Sequence, residues 1–584
     1  MNVARETVSI LVQARRENGD HPHTRLYLIQ FRSLLRSLFI LHRLSSFPLP
    51  PLSSLLTSTS DTLMNRHLAL FRYALVFTAV FFGNSVSQET NSSTSSDGSS
   101  IGDCTPQVFN QPVDHSGSNS NATFSQRYSI STEYYQPGGA IIFYQGAENS
   151  EFLCPDGLIT ANWAQSIGGI LATLEHRFFG TSVPFGNESF TQDNLNTYLT
   201  LENVLADSAN FVEYVKKNIT GADDAKVVVL GGSYGGFLST LLRTNYPETF
   251  DGAVNSAGPV RDFGPPIPEG QYDVFQYISN VYENHSSEAA NQIATGLQQV
   301  ADLYNSSQFG SIQDSLSLCR SANTTDLDTL LNYISSAVVL IPQFSYANPS
   351  KRAEIFYNYS EPISSNGTLP FDTFLHDLLA EATPLASLNK TLWTVYGLSA
   401  FSSNQTCLNA SSTFDSTAGV QDSAFDYISC SYFDYISEKP QNGSIFQPSP
   451  PGAGEAQVEL CRQQYGDKAI LNATELTIKY KFTQADLVNF TRILYTESEL
   501  DLNLARGPTS SWFASANGTD CDGNLDQSVV YVIEGAGHTE DTFPPDSSDT
   551  SAMQAAKNFT LQRIKAWTGT PGNKSTSAST SHHA

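Results

Sequence analysis

Lys226-Val227-Val228-Val229-Leu230-Gly231-Gly232-Ser233-Tyr234-Gly235-Gly236-Phe237-Leu238 is the stretch that decides the fold. The β-branched run Val227–Val229 with Leu230 has no polar residue, as expected of a parallel strand buried on both faces. The glycines then allow a tight turn. Beyond it, Phe237, Leu238, Leu241 and Leu242 repeat at helical spacing up to Pro247. A strand that turns sharply into a helix around G-x-S-x-G holds a serine hydroxyl above the end of a sheet, facing incoming substrate. Without that context the five-residue pattern is weak, because glycine and serine are common.

Working outward, the pattern keeps alternating. Ala140–Tyr144 reads as a buried strand, Ile170–Leu174 as another, and 201–215 as an amphipathic helix carrying Leu201, Val204, Leu205, Phe211, Val212 and Val215 on one face. Strand signals return at Arg492–Tyr495 and Val529–Ile533, and a last helix is expected over about 552–567. Alternating strands and helices predict an α/β sheet, here an α/β-hydrolase fold. The middle, 266–480, has helical periodicity and Pro/Gly/Ser breaks, so it is expected to be a mainly helical insertion, or cap. The hydrolase part is then divided into 108–265 and 481–567.

A serine hydroxyl needs a base, and in this fold the order is serine, acid, histidine. Of His115, His176, His285, His376 and His538, only His538 follows the last expected strand, in Glu534-Gly535-Ala536-Gly537-His538. The acid is expected at the end of the preceding strand, where Asp501 has Glu497 and Glu499 as rivals. The expected catalytic set is Ser233, Asp501 and His538, with oxyanion donors at the N–H of Tyr234 and near Gly146.

Composition bounds the partners. Charged residues make up 15% of the 584, against roughly 25% in an average soluble chain. The formal net charge is −26, which disfavours nucleic acid and anionic membrane surfaces, both of which call for Lys and Arg. The seven cysteines form no CxxC pair and no zinc-ligand spacing with histidine, so neither metal nor cofactor is expected. Their odd number leaves at least one outside intramolecular pairing, and their connectivity is not legible.

A signal-peptide pattern starts at Met64, with Arg66 and Arg72, an apolar run Tyr73–Phe82, and Ser85-Val86-Ser87 before Gln88. Residues 64–87 are therefore expected to be removed. Residues 1–63 are either an upstream stretch outside the mature protein or an unusual targeting extension. Residues 88–107 read as a disordered linker and 568–584 as a disordered tail. About 18 N-x-[ST] sequons favour passage through a secretory pathway.

Several spaced motifs resemble the prolylcarboxypeptidase and dipeptidyl peptidase II family of serine peptidases. Gln111-Pro112-Val113-Asp114-His115 with Phe124 and Gln126-Arg127-Tyr128 is similar to the family's opening. Phe143-Tyr144-Gln145-Gly146-Ala147-Glu148 resembles its strand-end motif, and Glu175-His176-Arg177-Phe178-Phe179-Gly180 its most distinctive signature. Gly231–Gly236, Leu500-Asp501 and Gly535-Ala536-Gly537-His538 with Asp541 follow in the family's order. The resemblance covers about 108–265 and 485–567. It implies a capped α/β-hydrolase, cleavage of peptide substrates next to proline, often at acidic pH, and a secreted or lysosome/vacuole-like lumenal location. It also implies a substrate-binding role for Glu148 and a site-shaping role for His176 and Arg177. Two motifs depart from the family: Leu502-Asn503 stands for its Pro-Trp, and Ala147-Glu148-Asn149-Ser150 for its Asn-Glu-Gly-Asp. The resemblance leaves carboxypeptidase, dipeptidyl peptidase and endopeptidase action open, and a homodimer is allowed. An esterase or lipase of the same fold, and a catalytically silent secreted glycoprotein, are the competing readings.

Overall fold

Eight strands form one sheet: β1 (Gln107–Pro112), β2 (Thr123–Ser131), β3 (Ile141–Gln145), β4 (Ile170–Leu174), β5 (Val227–Gly232), β6 (Gly252–Ser256), β7 (Ile493–Ser498) and β8 (Val529–Ile533). Their order in space is β8-β7-β6-β5-β3-β4-β2-β1. From β8 to β4 all neighbours run parallel, while β2 is antiparallel to β4 and to β1. A parallel sheet whose strand order reverses beside β5, with an antiparallel hairpin at one edge, is the α/β-hydrolase arrangement expected from the sequence. The computed structural model describes residues 100–101, 104–117, 121–149, 152–263, 274–347, 369–396, 406–408, 422–433, 440–449, 453–471, 473–513 and 524–569. The expected upstream extension, signal peptide, most of the linker and nearly all of the tail lie outside these residues.

Period-two alternation divides the strand side chains between two cores. Ile141 and Phe143 of β3, Val227 and Val229 of β5, and Ile493 and Tyr495 of β7 face α2 (Leu201–Asn218) and α3 (Tyr234–Asn245). Ile142, Tyr144, Val228, Leu230 and Leu494 face the other way, against α1 (Ile159–Ile167) and the C-terminal helix Ser551–Thr568. Each such buried aliphatic side chain contributes about 1.5–3 kcal/mol. Both faces of β3, β5 and the first half of β7 are therefore buried, which explains the apolar runs there. Trp567 lies so close to β6 that a Cβ on Gly252 would stand 2.4 Å from its ring.

Between β6 and β7 the described residues are mainly helical. α4 (Val274–Asn305), α5 (Leu327–Gln343), α6 (Pro370–Leu379) and α7 (Pro384–Tyr396) share a core of their own, with Ile278, Leu297, Leu330, Val338, Phe374 and Leu392 at its centre. That core reaches Leu500, Leu502 and Ala505 at the end of β7. α8 (Asp422–Tyr432) and α9 (Ala453–Tyr465) belong elsewhere: Phe425, Ile428, Tyr432 and Tyr465 pack in the core shared by α2 and α3. Three disulfides are formed, Cys104–Cys154, Cys319–Cys407 and Cys430–Cys461, the last joining α8 to α9. Cys521 lies outside the described residues.

Candidate active site

Ser233 stands at the carboxyl end of β5 with φ 53° and ψ −127°, a conformation that costs an L-residue energy and persists only where its surroundings impose it. They do so here. The Ser233 N–H donates to Ser256 O at 2.8 Å, and the Phe237 N–H donates to Ser233 O at 3.0 Å to start the helix. Gly231 is obligatory at this turn, since a Cβ there would lie 1.9 Å from Gly235 O. The next residue, Tyr234, opens α3, and backbone amides in a first helical turn have no acceptor within the helix.

Beyond β8, His538 sits in a loop folded over this turn. The Thr539 methyl carbon would be 3.1 Å from a Cβ on Gly232. His538 Nδ1 meets Asp501 Oδ2 at 2.6 Å, with both side chains buried. Asp501 is fixed in turn: its other oxygen accepts the Asn503 N–H at 3.1 Å, and its own N–H donates to Ser498 O. The rival acids are placed otherwise. Glu499 accepts the Gly535 N–H at 2.8 Å, and Glu497 is buried with neither carboxyl oxygen hydrogen-bonded. Burial, then the charge of Asp501, pushes the Glu497 carboxyl well up, against the pull of Arg261. Asp541 accepts the hydroxyls of Ser256 (2.5 Å) and Thr496 (2.6 Å), tying the histidine loop to β6 and β7.

The other histidines are engaged elsewhere. His115 meets Asp207 at 2.8 Å, His285 meets Asp372 at 2.7 Å, and His376 is exposed on α6. His176 lies beside the elbow, its Nδ1 2.6 Å from Arg177 O and its Nε2 3.2 Å from the Tyr234 hydroxyl. Burial pulls its pKa down to about 4, so the ring is neutral. A carbonyl can only accept, so Nδ1 carries the proton and Nε2 accepts from Tyr234. His176 therefore orients Tyr234. Arg177 is fully buried and holds Asp207 through two contacts of 2.6 Å, and it also donates to the carbonyls of Pro112, Val113 and Tyr198.

An oxyanion donor was expected near Gly146. The Gly146 N–H donates to Leu174 O at 3.2 Å and is thereby used within the sheet. The following amide, that of Ala147, makes no hydrogen bond among the described residues. Ala147 borders the elbow, its Cβ 3.4 Å from where one on Gly235 would be. Glu148 comes next. It is 4% exposed, and burial pushes its pKa up to about 7, against the pull of its own backbone N–H and, less, of His538. Cys104, Cys154 and Asp156 are the one group among the described residues with metal-ligand spacing, but the two cysteines are joined in a disulfide.

The family described as serine carboxypeptidase S28 matches residues 111–560. Lysosomal Pro-X carboxypeptidase of Homo sapiens is 26% identical over 467 residues, covering 79% of this chain and 87% of the human protein. Prolyl carboxy peptidase like protein 5 of Caenorhabditis elegans is 27% identical over 476 residues, covering 78% of this chain and 88% of that protein. Among solved structures, proline iminopeptidase of Mycobacterium smegmatis is 12% identical over 79% of this chain with a TM-score of 0.32, too slight a likeness to add to the topology.

Proposed function

The chain belongs to the serine carboxypeptidase S28 family, and we propose that it is a serine exopeptidase hydrolysing peptide bonds next to proline in an acidic secreted or lysosome-like lumen. The observation that carries this is the buried 2.6 Å pair of His538 and Asp501, on a loop folded over the strained turn of Ser233.

In this mechanism Ser233 Oγ attacks the peptide carbonyl while His538 Nε2 takes its proton. Asp501 holds Nδ1–H, fixing the tautomer and stabilising the imidazolium. The N–H groups of Tyr234 and Ala147 receive the oxyanion, where preorganised donors act most strongly. His538 then protonates the leaving amine, and water releases the acyl-enzyme. The elbow, His538 and Asp501 lie beneath helical segments, which favours chain ends over chain interiors as substrates.

Three features support the compartment. The three disulfides suit an oxidising lumen. The sequon residues Asn121, Asn187, Asn218, Asn284 and Asn558 are exposed, as acceptors of N-linked glycans. Among the described residues no helix is long and apolar enough to cross a membrane.

The test is to incubate the secreted protein at about pH 5 with peptides containing proline and to read the fragments by mass spectrometry. Cleavage next to proline that is lost in Ser233→Ala supports the reading. Activity on acyl esters with none on such peptides overturns it.

A further inference from the structure

The short link from β7 to Asp501 is held from the helical insertion. Tyr277, in the first turn of α4, donates its hydroxyl to the carbonyl of Glu499 at 2.6 Å. That carbonyl belongs to the peptide unit joining Glu499 to Leu500, and Asp501 is the next residue. The same two residues are tied to the start of the histidine loop. The Glu499 N–H donates to Ile533 O at 3.1 Å, the Glu499 side chain accepts the Gly535 N–H at 2.8 Å, and the Leu500 N–H donates to Ala536 O at 3.0 Å. Leu500 and Leu502, on either side of the acid, are buried in the core of the insertion. Asp501 therefore follows a link clamped between α4 and the segment that leads to His538. Burial first, then the charges of Asp501, Glu499 and Glu497, push the Tyr277 phenol far above its ordinary pKa, so its hydroxyl keeps the proton it donates.

We propose that Tyr277 is a positioning residue for the reaction: by holding the Glu499 carbonyl it sets the place of Asp501 against His538 Nδ1. The insertion then supplies part of the geometry of the catalytic set as well as its cover. The proposal rests on the roles of Ser233, Asp501 and His538 given above. Its physical basis is the steep dependence of a hydrogen bond on distance and angle. The Asp501–His538 contact is 2.6 Å, and a shift of the Glu499 carbonyl reaches Asp501 through a single intervening residue. The competing role is packing alone, in which the hydroxyl only fastens α4 to the end of β7. The two roles differ in what they do to the imidazole. A packing bond adds stability and leaves the proton affinity of His538 as it is. A positioning bond raises that affinity, because the aligned carboxylate stabilises the imidazolium.

The experiment follows labelling of Ser233 by a fluorophosphonate in the secreted protein between about pH 4 and pH 9. The extent of labelling counts folded enzyme and the rate constant reports the serine–histidine pair, so partial unfolding is not mistaken for lost reactivity. Tyr277→Phe should be labelled at a rate about fivefold lower, the worth of one ordinary hydrogen bond. The acidic limb of its rate profile should move down by about half a pH unit, since an imidazole with a less well aligned carboxylate is a weaker base. In the Asp501→Asn background the same substitution should change the rate by less than about twofold, because the carboxylate it positions is gone. An equal loss in the two backgrounds overturns the proposal and leaves Tyr277 a packing residue. A lower rate with an unmoved limb does the same, as does a wild-type rate in Tyr277→Phe. An Asp501→Asn variant labelled as fast as wild type overturns the assignment of the acid, and the proposal with it. Labelled wild-type enzyme that cuts no proline peptide overturns the substrate reading alone, since the labelling rates do not depend on it.

Discussion

The backbone N–H of His538 donates to the carbonyl of Gln343, the last residue of α5, at 2.7 Å. Around this bond the Tyr346 hydroxyl donates to His538 O at 2.8 Å, and Glu540 bridges the amides of Ala347 (2.8 Å) and Gly537 (3.1 Å). The imidazole is thus positioned from the helical insertion as much as from the sheet.

Gly537→Ala tests this support. A Cβ there would lie 2.7 Å from Gln343 O and 2.7 Å from the Tyr346 ring, so the loop must shift. Displacing a base by about 1 Å costs on the order of 100-fold in rate. Steady-state kinetics should show that loss in kcat with KM little changed, and Tyr346→Phe should give a smaller loss in the same direction.

Asp501→Asn should lower kcat by about 10⁴-fold with the fold intact, because an amide can donate to Nδ1 and stabilise the wrong tautomer. Glu497→Gln, four residues earlier, should leave kcat within a few fold, since neither oxygen of that carboxyl is hydrogen-bonded and burial favours its uncharged form. Comparable losses in the two variants would refute the assignment of the acid.

Asp207→Ala leaves the Arg177 guanidinium buried without its counter-charge. Breaking a buried pair from one side costs about 3–5 kcal/mol. Urea unfolding should show that loss, and Ser233 labelling should fall with it because Arg177 spans β1, α2 and the segment bearing His176.

The protein should be more stable at about pH 5 than at about pH 8. Burial raises the carboxyls of Glu148 and Glu540 to about 7, and those of Glu497, Asp541 and Glu175 also upward. A carboxyl raised in the folded state binds its proton more tightly there. Its contribution is complete below the unfolded value and is lost as pH climbs through the folded one. His176, pulled down to about 4, acts oppositely, losing its contribution as pH falls from about 6.5. Five carboxyls shifted one way outweigh one imidazole shifted the other. Thermal unfolding should show a melting temperature several degrees lower at the higher pH, and the reverse order would refute the balance.

Runs with one unambiguous environment were legible in the sequence. β5 and its helix, β4 and β8 lie within a residue or two of where apolar periodicity puts them, because both faces of β5 and β4 are buried and β8, at the sheet edge, still has an unbroken apolar run. β6 was not legible. Gly252-Ala253-Val254-Asn255-Ser256 has weak strand propensity. It is a strand because Trp567 fills the space over Gly252, and because Asn255 is satisfied by Thr240 Oγ1 and the Gly258 N–H. Periodicity also identified helices between β6 and β7 without revealing that α8 and α9 pack with α2 and α3. At the candidate site, order along the chain singled out Ser233, Asp501 and His538, and the structure pairs the last two at 2.6 Å. The support by Gln343 and Tyr346, the engagement of Gly146 and the burial of the Glu148 carboxyl are three-dimensional facts with no local signature.

The interruption between β6 and β7 also has a consequence for biosynthesis. A ribosome releases the elbow serine early, together with β1 to β6, and must then complete every insertion helix before β7 and β8 emerge with the acid and the base. Throughout that interval the nascent chain carries a nucleophile with nothing to deprotonate it, and Gln343 is already in place when His538 arrives. Order of synthesis thus leaves Ser233 without Asp501 and His538 until the whole insertion has been made.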